Sequence, residues 1–336
     1  MTESKQTAFL TTRAISVLKA TIGILSNNPS LIYNKEYFEE NVIHSLLADF
    51  HEIKDVRFTA DLDAYFYVFD YKGVNPEILV SDNRDRVVAI GDFSTLEKLV
   101  TDKRLTLFSN LGILARLILS TLERCHNIYS FHGCSLLNEK TNELLLVVGG
   151  PGSGKTCFIL NGFRKGLKLF SSELTHFTVS DDNLIFYKGS TSDNVRIGTL
   201  KYDFPEMISE LGISLPEVKD VWGKKIAINL AKFEAPLDEV VDPELILIFP
   251  HVEENIEEPD VREIKNLRKI KIPLFKSLSE KLASAILYET IPVESMDNSF
   301  LREKRLKYLE KFMKIGKIKR AVKVLAGPRN CLEGIV

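Results

Sequence analysis

Residues 144–160 read Leu144-Leu145-Leu146-Val147-Val148-Gly149-Gly150-Pro151-Gly152-Ser153-Gly154-Lys155-Thr156-Cys157-Phe158-Ile159-Leu160. The first five residues are an unbroken apolar run, which is typical of a buried β-strand. The last five have the pattern of an amphipathic helix. A glycine-rich loop at residues 149–156 joins the two, so this part of the chain predicts the strand–loop–helix unit of an α/β domain.

This glycine loop has the Walker A spacing. Glycines allow backbone N–H groups to turn around phosphate oxygens without a Cβ in the way, and the following helix directs its positive end at the same point. Lys155 would reach the β- and γ-phosphates, and the Thr156 hydroxyl would coordinate a bridging Mg²⁺. The prediction is a site for a nucleoside triphosphate, ATP or GTP, with Mg²⁺. It is formed by Gly149, Gly150, Pro151, Gly152, Ser153, Gly154, Lys155, Thr156 and Cys157.

Length and composition indicate an ordinary globular protein. The chain has 336 residues, 45% hydrophobic and 27% charged, with a formal net charge of -2, so two domains are expected and no nucleic-acid or membrane partner is indicated. No apolar run approaches the roughly 18 residues of a membrane span, and the first residues lack the pattern of a signal peptide. We therefore expect a cytoplasmic protein. The four cysteines are scattered and are interpreted as reduced thiols; they are Cys125, Cys134, Cys157 and Cys331.

Residues 1–104 are expected to form a small N-terminal α/β module. Apolar positions at spacings of three and four predict helices at Gln6 to Ser26 and at Lys35 to Phe50. Three β-branched and aromatic runs separated by turn residues predict strands in a meander. They lie at Ala64 to Asp70, Glu77 to Ser81 and Arg86 to Gly91.

Residues 105–336 are expected to form the nucleotide-binding domain with a C-terminal helical segment. A buried helix is predicted at Leu107 to Arg124. The strand-like runs around and after the glycine loop predict a mixed sheet; they are Ile128 to Leu137, Glu143 to Val148, Leu167 to Phe170, His176 to Val179, Asn183 to Tyr187, Lys225 to Asn229 and Glu244 to Phe249. C-terminal helices are predicted near Ser277 to Tyr288 and Phe300 to Ile315.

Two motifs that flank the loop add a resemblance. Phe131-His132-Gly133 precedes the loop, and Lys165-Gly166-Leu167-Lys168-Leu169 follows its helix. With the loop between them, they resemble the HPr kinase and ATP-dependent phosphoenolpyruvate (PEP) carboxykinase superfamily. The resemblance covers residues 105–250, and Ala321 to Gly327 is similar to the family's closing strand. It implies a mixed-sheet P-loop domain of that type.

The resemblance also implies roles for single residues. In that family a histidine lies near the γ-phosphate, and the matching residue of this chain is His132. The strand after the loop helix carries two acidic residues in the family: the first is the base and the second holds the metal. The matching residues of this chain are Ser172 and Glu173. Ser172 departs from the pattern, because a neutral hydroxyl does not accept a proton at pH 7 without a further base. Asp181 and Asp182 could replace it, although they also have the composition of a tight turn.

Further cations lie outside the family motifs. Arg196, and Lys224 or Lys225, are candidates for stabilising charge in the transition state, although each also fits a solvated surface position. Between Arg302 and Lys323, ten basic residues stand against two acidic ones. This stretch either binds an anionic partner or is an amphipathic helix with a solvated basic face.

The leading hypothesis is an ATP-dependent kinase that transfers the γ-phosphoryl group to a hydroxyl of a small molecule or of a serine in a peptide. Its catalytic residues would be His132, Glu173 and Arg196, with Thr156 and Glu173 at the metal. HPr is not expected as the acceptor, because the signature loop by which HPr kinases hold their protein substrate is not recognisable in the sequence and the N-terminal module does not resemble theirs. The alternative is a catalytically silent nucleotide sensor or assembly module of the same fold; carboxykinase chemistry is a third, weaker alternative. A homo-oligomer is left open.

Overall fold

The computed structural model describes residues 10–33, 47–100, 103–180, 182–284, 286–288 and 291–336. The chain divides into two compact units. The first contains the described residues up to Ala48 together with Glu52–Asn127 and Lys281–Leu301. The second contains Asp49–His51, Ile128–Glu280 and Arg302–Val336. The helix after residue 104, which the sequence assigned to the nucleotide-binding domain, packs on strands of the first unit.

The first unit is built on a six-stranded sheet with the order β3-β1-β2-β4-β6-β5. The β2–β4 and β4–β6 pairs are parallel and the other pairs are antiparallel. Its elements are β1 (Thr11–Val17), β2 (Ala20–Ser26), α1 (Pro29–Ile32), β3 (Lys54–Val56), β4 (Ala64–Asp70), β5 (Glu77–Val80), β6 (Arg86–Gly91), α2 (Phe93–Leu99), a 3₁₀ turn (Lys103–Leu105), α3 (Ile113–His126), and the hairpin of β17 (Ile286–Tyr288) and β18 (Ile291–Val293).

The helix predicted at Gln6 to Ser26 is wrong. The described part of this segment is the antiparallel hairpin of β1 and β2, which turns at Leu18 with φ 53°. Ile15, Val17, Ile22 and Ile24 are fully buried at alternate positions, which is the period of a strand. The β-branched residues favour a pleated strand over a helix. The helix predicted at Lys35 to Phe50 lies almost wholly outside the described residues.

The three predicted strands of the first unit are confirmed as β4, β5 and β6, but their arrangement as a meander is wrong. β4 pairs directly with β6 in parallel, and β5 lies at the sheet edge, antiparallel to β6. Ala64, Phe66 and Val68 of β4 are fully buried. The central position of β4 explains this burial, because a strand flanked on both sides contributes a whole face to the core.

The second unit contains a larger mixed sheet with the order β14-β11-β10-β7-β8-β15-β19-β16, in which β9 pairs with β7. A separate two-stranded sheet joins β12 and β13. The elements are β7 (Tyr129–Asn138), β8 (Glu143–Val148), α4 (Lys155–Arg164), β9 (Lys168–Ser171), β10 (Leu174–Val179), β11 (Leu184–Tyr187), β12 (Ser192–Arg196), a π-helical turn (Thr199–Asp203), α5 (Pro205–Leu211), β13 (Lys225–Asn229), a 3₁₀ turn (Ala231–Phe233), β14 (Glu239–Val241), β15 (Glu244–Val252), β16 (Asp260–Glu263), α6 (Leu267–Ala283), α7 (Ser299–Ile315) and β19 (Lys317–Ala326).

Helices cover both faces of this sheet. β8, β15 and β19 are parallel neighbours at its centre. Val147 and Ile248 pack in one apolar cluster with Phe158 of α4. Residues on the opposite face, such as Leu146, pack with Phe312 of α7. This alternation confirms a mixed α/β architecture and explains why β8 reads as a continuous apolar run.

Most predicted strands of the second unit are confirmed within one to three residues. The predicted helix at Ser277 to Tyr288 is wrong at its end: α6 ends at Ala283, and Ile286–Tyr288 is the strand β17. Within the described ranges, the helices fall short of the length and apolar content that a membrane span requires.

Candidate nucleotide site

The glycine loop leaves the sheet at the end of β8 and enters α4, so it lies at the carboxyl edge of the parallel strands. Gly152 and Gly154 adopt φ values of +81° and +95°, which side chains rarely permit. At Gly154, a Cβ would also lie 2.3 Å from Cγ2 of Val252 on β15. Gly150 and Gly152 are exposed. The loop is therefore held closely against β15 at one end and open to a ligand at its tip.

The Lys155 side chain folds back over the loop. Its ammonium donates hydrogen bonds to the carbonyl oxygens of Gly149, at 2.8 Å, and Gly150, at 3.4 Å. The Ser153 hydroxyl is buried and makes no hydrogen bond within the part of the chain that the structure describes. The loop thus presents an ammonium group and a hydroxyl group, and phosphate oxygens could accept hydrogen bonds from both.

The Thr156 hydroxyl is directed at a carboxylate that the sequence analysis did not identify. Thr156 Oγ1 donates to Asp193 Oδ2 at 2.9 Å. Asp193 is the second residue of β12, so this short strand places a carboxylate next to the first turn of α4. A hydroxyl and a carboxylate at this position are hard oxygen donors of the kind that Mg²⁺ prefers.

Burial raises the pKa of Asp193 to about 6, and the negative charge of Glu173 contributes to this rise. The hydrogen bond from Thr156 acts in the opposite direction. Two carboxylates that affect each other in this way are close enough to interact, and a divalent cation between them would remove the repulsion. Both carboxylates are therefore candidates for the metal side of the site.

His132 lies between two carboxylates. It belongs to β7, it is 4% exposed, and the pairing of its neighbour Gly133 with Val148 brings it level with the start of the glycine loop. Its Nε2 lies 2.9 Å from Glu173 Oε1, and its Nδ1 lies 2.9 Å from Glu280 Oε2 on α6. Each ring nitrogen of His132 therefore lies at ion-pair distance from a carboxylate.

These contacts favour the charged form of His132. Burial lowers the pKa of its imidazole, but the hydrogen bonds to Glu173 and Glu280 outweigh burial and raise the pKa above its ordinary value. Lys155 Nζ lies 3.4 Å from His132 Nε2, so two cationic groups meet at one point beside the loop. Their combined charge suits the terminal phosphate of a triphosphate.

Ser172, for which the sequence resemblance implied the place of a base, makes a structural contact. It is 1% exposed, and its hydroxyl donates to the carbonyl oxygen of Ser192 at 2.5 Å, next to Asp193. A hydroxyl that donates in this way tethers β12 and does not act as a base. Of the two replacements considered, Asp181 lies outside the described residues. Asp182 is exposed in the turn between β10 and β11.

The structure places Arg196 and Lys225 on the two-stranded sheet of β12 and β13, and Lys224 just before β13. Arg196 pairs in register with Lys225. Its side chain is exposed, and Nη1 donates to the carbonyl oxygen of Trp222 at 3.0 Å. A contact with the transition state therefore remains a prediction for Arg196, and its observed role is to hold the loop that carries Trp222.

Cys157 lies at the base of the loop in the core of the unit. It is 7% exposed, burial raises the pKa of its thiol to about 12, and its N–H donates to Gly154 O at 2.9 Å. The thiol is neutral and packs as a small apolar group. A direct contact between Cys157 and nucleotide stays a prediction.

The basic stretch from Arg302 to Lys323 is partly used within the protein. Arg305 is fully buried and donates to Ser279 Oγ at 3.0 Å. Lys319 forms ion pairs with Glu143 and Glu244. The helix α7 is amphipathic, with Leu309 and Phe312 fully buried, as the sequence pattern predicted. Binding of an anionic partner at this stretch stays a prediction.

Sequence reasoning missed Asp193 and Glu280. Asp193 precedes Arg196 by three residues but belongs to no recognisable motif. Glu280 lies on α6, more than a hundred residues after the loop, and only the packing of α6 on β7 brings it to His132. Ser277, one turn earlier on α6, confirms this packing, since its hydroxyl donates to the His132 carbonyl oxygen at 3.1 Å. No local pattern could have indicated either carboxylate.

Comparison with known proteins assigns no family: no protein-family model matches the chain, and no curated protein matches it significantly. The functional argument therefore depends on the geometry of the site.

Proposed function

We propose that the chain binds a nucleoside triphosphate with Mg²⁺ at the glycine loop and transfers the γ-phosphoryl group to a hydroxyl, within a P-loop fold of the HPr kinase type. One observation carries the proposal. Lys155, the Thr156–Asp193 pair and the His132–Glu173 pair meet around a single strand-to-helix turn. This set combines phosphate-binding charge, oxygen ligands for a cation and a histidine–carboxylate pair.

The donor set fits Mg²⁺ held jointly with phosphate. Among the described residues, no group of three His, Cys, Asp or Glu side chains is arranged to hold a metal alone. Mg²⁺ usually takes one or two carboxylates and completes its shell with phosphate oxygens and water. Thr156, Asp193 and Glu173 would supply the protein ligands, and the bound cation would neutralise charge on the β- and γ-phosphates.

The remaining groups act on the terminal phosphate. Lys155 would leave the loop carbonyls for the β- and γ-phosphate oxygens. His132, whose ring nitrogens face Glu173 and Glu280, would place its positive charge beside the γ-phosphate, and Glu173 would stay on the metal. In a loose transition state the proton of the acceptor hydroxyl moves late, onto the transferred phosphoryl group, so positioning and charge neutralisation carry most of the rate.

A second candidate function is a nucleotide sensor without transfer chemistry. The hydrogen bond from Ser172 to Ser192 favours it, because this bond occupies the position where the family base would stand. Both candidates require nucleotide binding, and they differ in turnover.

Formation of ADP from Mg-ATP separates them, first with water and then with serine-containing peptides and small alcohols as acceptors. The kinase predicts ADP formation that Lys155→Ala abolishes. Lys140→Ala is the matched control, because Lys140 is exposed in the turn at the far end of β8, and it should retain the wild-type rate. Nucleotide binding without ADP under any condition would refute the kinase and support the sensor.

A further inference from the structure

Two aromatic side chains are exposed together on the segment that links β12 to β13. Tyr202 is 57% exposed and Trp222 is 36% exposed. Their ring centroids are 5.9 Å apart, with 31° between the ring planes. The two rings form one aromatic surface, which we call the Tyr202–Trp222 platform. Large aromatic groups left in water in this way are typical of a binding surface.

The position of Trp222 is fixed by backbone contacts. An added Cβ on Gly198 would lie 2.5 Å from Trp222 Cδ2, so the indole rests directly on this glycine. The Gly198 N–H donates to Val221 O at 2.8 Å, and Arg196 donates to the carbonyl oxygen of Trp222. An indole held in this way loses little conformational entropy when a ligand stacks on it.

One lysine lies against the platform. Lys201 Nζ lies 5.5 Å from the centroid of the Tyr202 ring. The segment between the two strands also carries acidic side chains, among them Asp203 directly after Tyr202 and Asp220, whose carboxylate accepts a hydrogen bond from the Gly223 N–H at 2.7 Å. An aromatic pair with a cation beside it suits a flat ring such as a nucleotide base.

The platform is tied to the strand that passes the glycine loop. β12 begins at Ser192, which Ser172 contacts, and then passes Thr156 at Asp193. At about 3.3 Å per residue, the three residues from Asp193 to Arg196 cover roughly 10 Å, and Arg196 holds the Trp222 carbonyl oxygen, so the platform is within the reach of a nucleoside whose phosphates lie at the loop. Asp203, which follows Tyr202, lies near enough to Cys157 at the base of the loop for its charge to raise the pKa of that thiol.

We propose that the Tyr202–Trp222 platform stacks the base of the nucleotide whose phosphates occupy the glycine loop. The inference rests on the proposed function, since it needs a triphosphate at the loop. Stacking on aromatic rings accepts any base, because every base has a π-face. Adenine and guanine nucleotides should therefore bind with similar affinity.

Trp222 is the only tryptophan of the chain, so its fluorescence reports on the platform directly. Mg-ATP and Mg-GTP are titrated into the full chain, and Mg-tripolyphosphate serves as the probe that lacks a base. The nucleotides should change the Trp222 emission, whereas tripolyphosphate should bind, as measured by calorimetry, and leave the emission unchanged. An equal emission change with tripolyphosphate would overturn the proposal.

Calorimetry of Tyr202→Ala and Trp222→Ala is the second part of the test. Each substitution should lower the affinity for Mg-ATP by roughly 5- to 150-fold, the range measured for the loss of one stacking ring. The affinity for tripolyphosphate should stay unchanged. Tyr71→Ala is the matched control, because Tyr71 is 47% exposed in the first unit, and it should bind as wild type. Unchanged Mg-ATP affinity in both variants would refute the platform while leaving the loop intact. Failure of every probe to bind wild type would instead refute the proposed function.

Discussion

Replacement of Asp193 by Asn should stabilise the protein and weaken its use of Mg²⁺. Asp193 is half-buried, and the partial burial of its carboxylate together with the charge of Glu173 raises its pKa from 3.8 to about 6. A raised pKa of this kind means that the ionised form is destabilised by folding. Asn has nearly the same shape and can still accept the hydrogen bond from Thr156, but it carries no charge.

The size of both effects follows from these contacts. A shift of roughly two pKa units corresponds to about 3 kcal/mol at neutral pH. A weaker hydrogen bond from Thr156 offsets about 1 kcal/mol, so Asp193→Asn should gain about 2 kcal/mol of unfolding free energy. Loss of this proposed ligand should weaken Mg²⁺ binding by at least the roughly 10- to 100-fold that is lost with groups that only orient a metal ligand.

Urea denaturation in the presence of EDTA measures the first effect, and Mg²⁺ dependence of nucleotide binding measures the second. The extra unfolding free energy of Asp193→Asn over the wild type should reach its full value above pH 6. It should fade as the pH falls toward 4, because both the folded and unfolded forms of Asp193 are protonated below 3.8. Asp182→Asn, at an exposed carboxylate, should show neither effect. The reasoning is refuted if Asp193→Asn lowers the urea midpoint or leaves the Mg²⁺ dependence unchanged.

Three further predictions test the loop, the histidine and the core. Gly154→Ala should cost about 2 kcal/mol of unfolding free energy and abolish nucleotide binding, because Gly154 has a φ of +95°. Gly150→Ala should retain the wild-type stability, because no atom lies within 4 Å of the added Cβ. Thermal unfolding compares the stability of the two variants, and calorimetry compares their nucleotide binding. Glu280→Gln should lower the pKa of His132, measured by NMR, and slow ADP formation; an unchanged pKa would contradict the two-carboxylate arrangement. Burial lowers the pKa of His176 to about 4. The unfolding free energy should therefore fall by about 3 kcal/mol between pH 6.5 and 4, because the unfolded chain takes up a proton that the folded chain does not. Urea denaturation of His176→Gln should lack this contribution to the acid dependence.

The sequence predicted the glycine loop and its surroundings well because their signals are local. β8 is a continuous apolar run that ends at glycines, and its bounds at Glu143–Val148 were predicted correctly. His132 and Glu173 were placed by a motif resemblance, and the structure brings them to 2.9 Å. Short-range patterns therefore identified much of the candidate site.

The errors arose where spacing was ambiguous or contacts were distant in sequence. The hairpin of β1 and β2 has apolar residues that satisfy both helical and strand periods, and β-branched side chains decided in favour of strands. The parallel β4–β6 pairing depends on the position of β5 at the edge, which no local pattern encodes. Asp193 and Glu280 reach the site through β12 and α6, so tertiary packing alone reveals them.

The most direct test of the central claim is calorimetry of the full chain with Mg-ATP, compared with Lys155→Ala under the same conditions. Lys155 lies where three groups converge, with Gly149 O at 2.8 Å, Gly150 O at 3.4 Å and His132 Nε2 at 3.4 Å from its ammonium. The account predicts saturable heat of binding in the wild type and its loss in Lys155→Ala, while the control Lys140→Ala binds normally. Absence of binding heat in the wild type, or equal binding by Lys155→Ala, would contradict a triphosphate site at this loop.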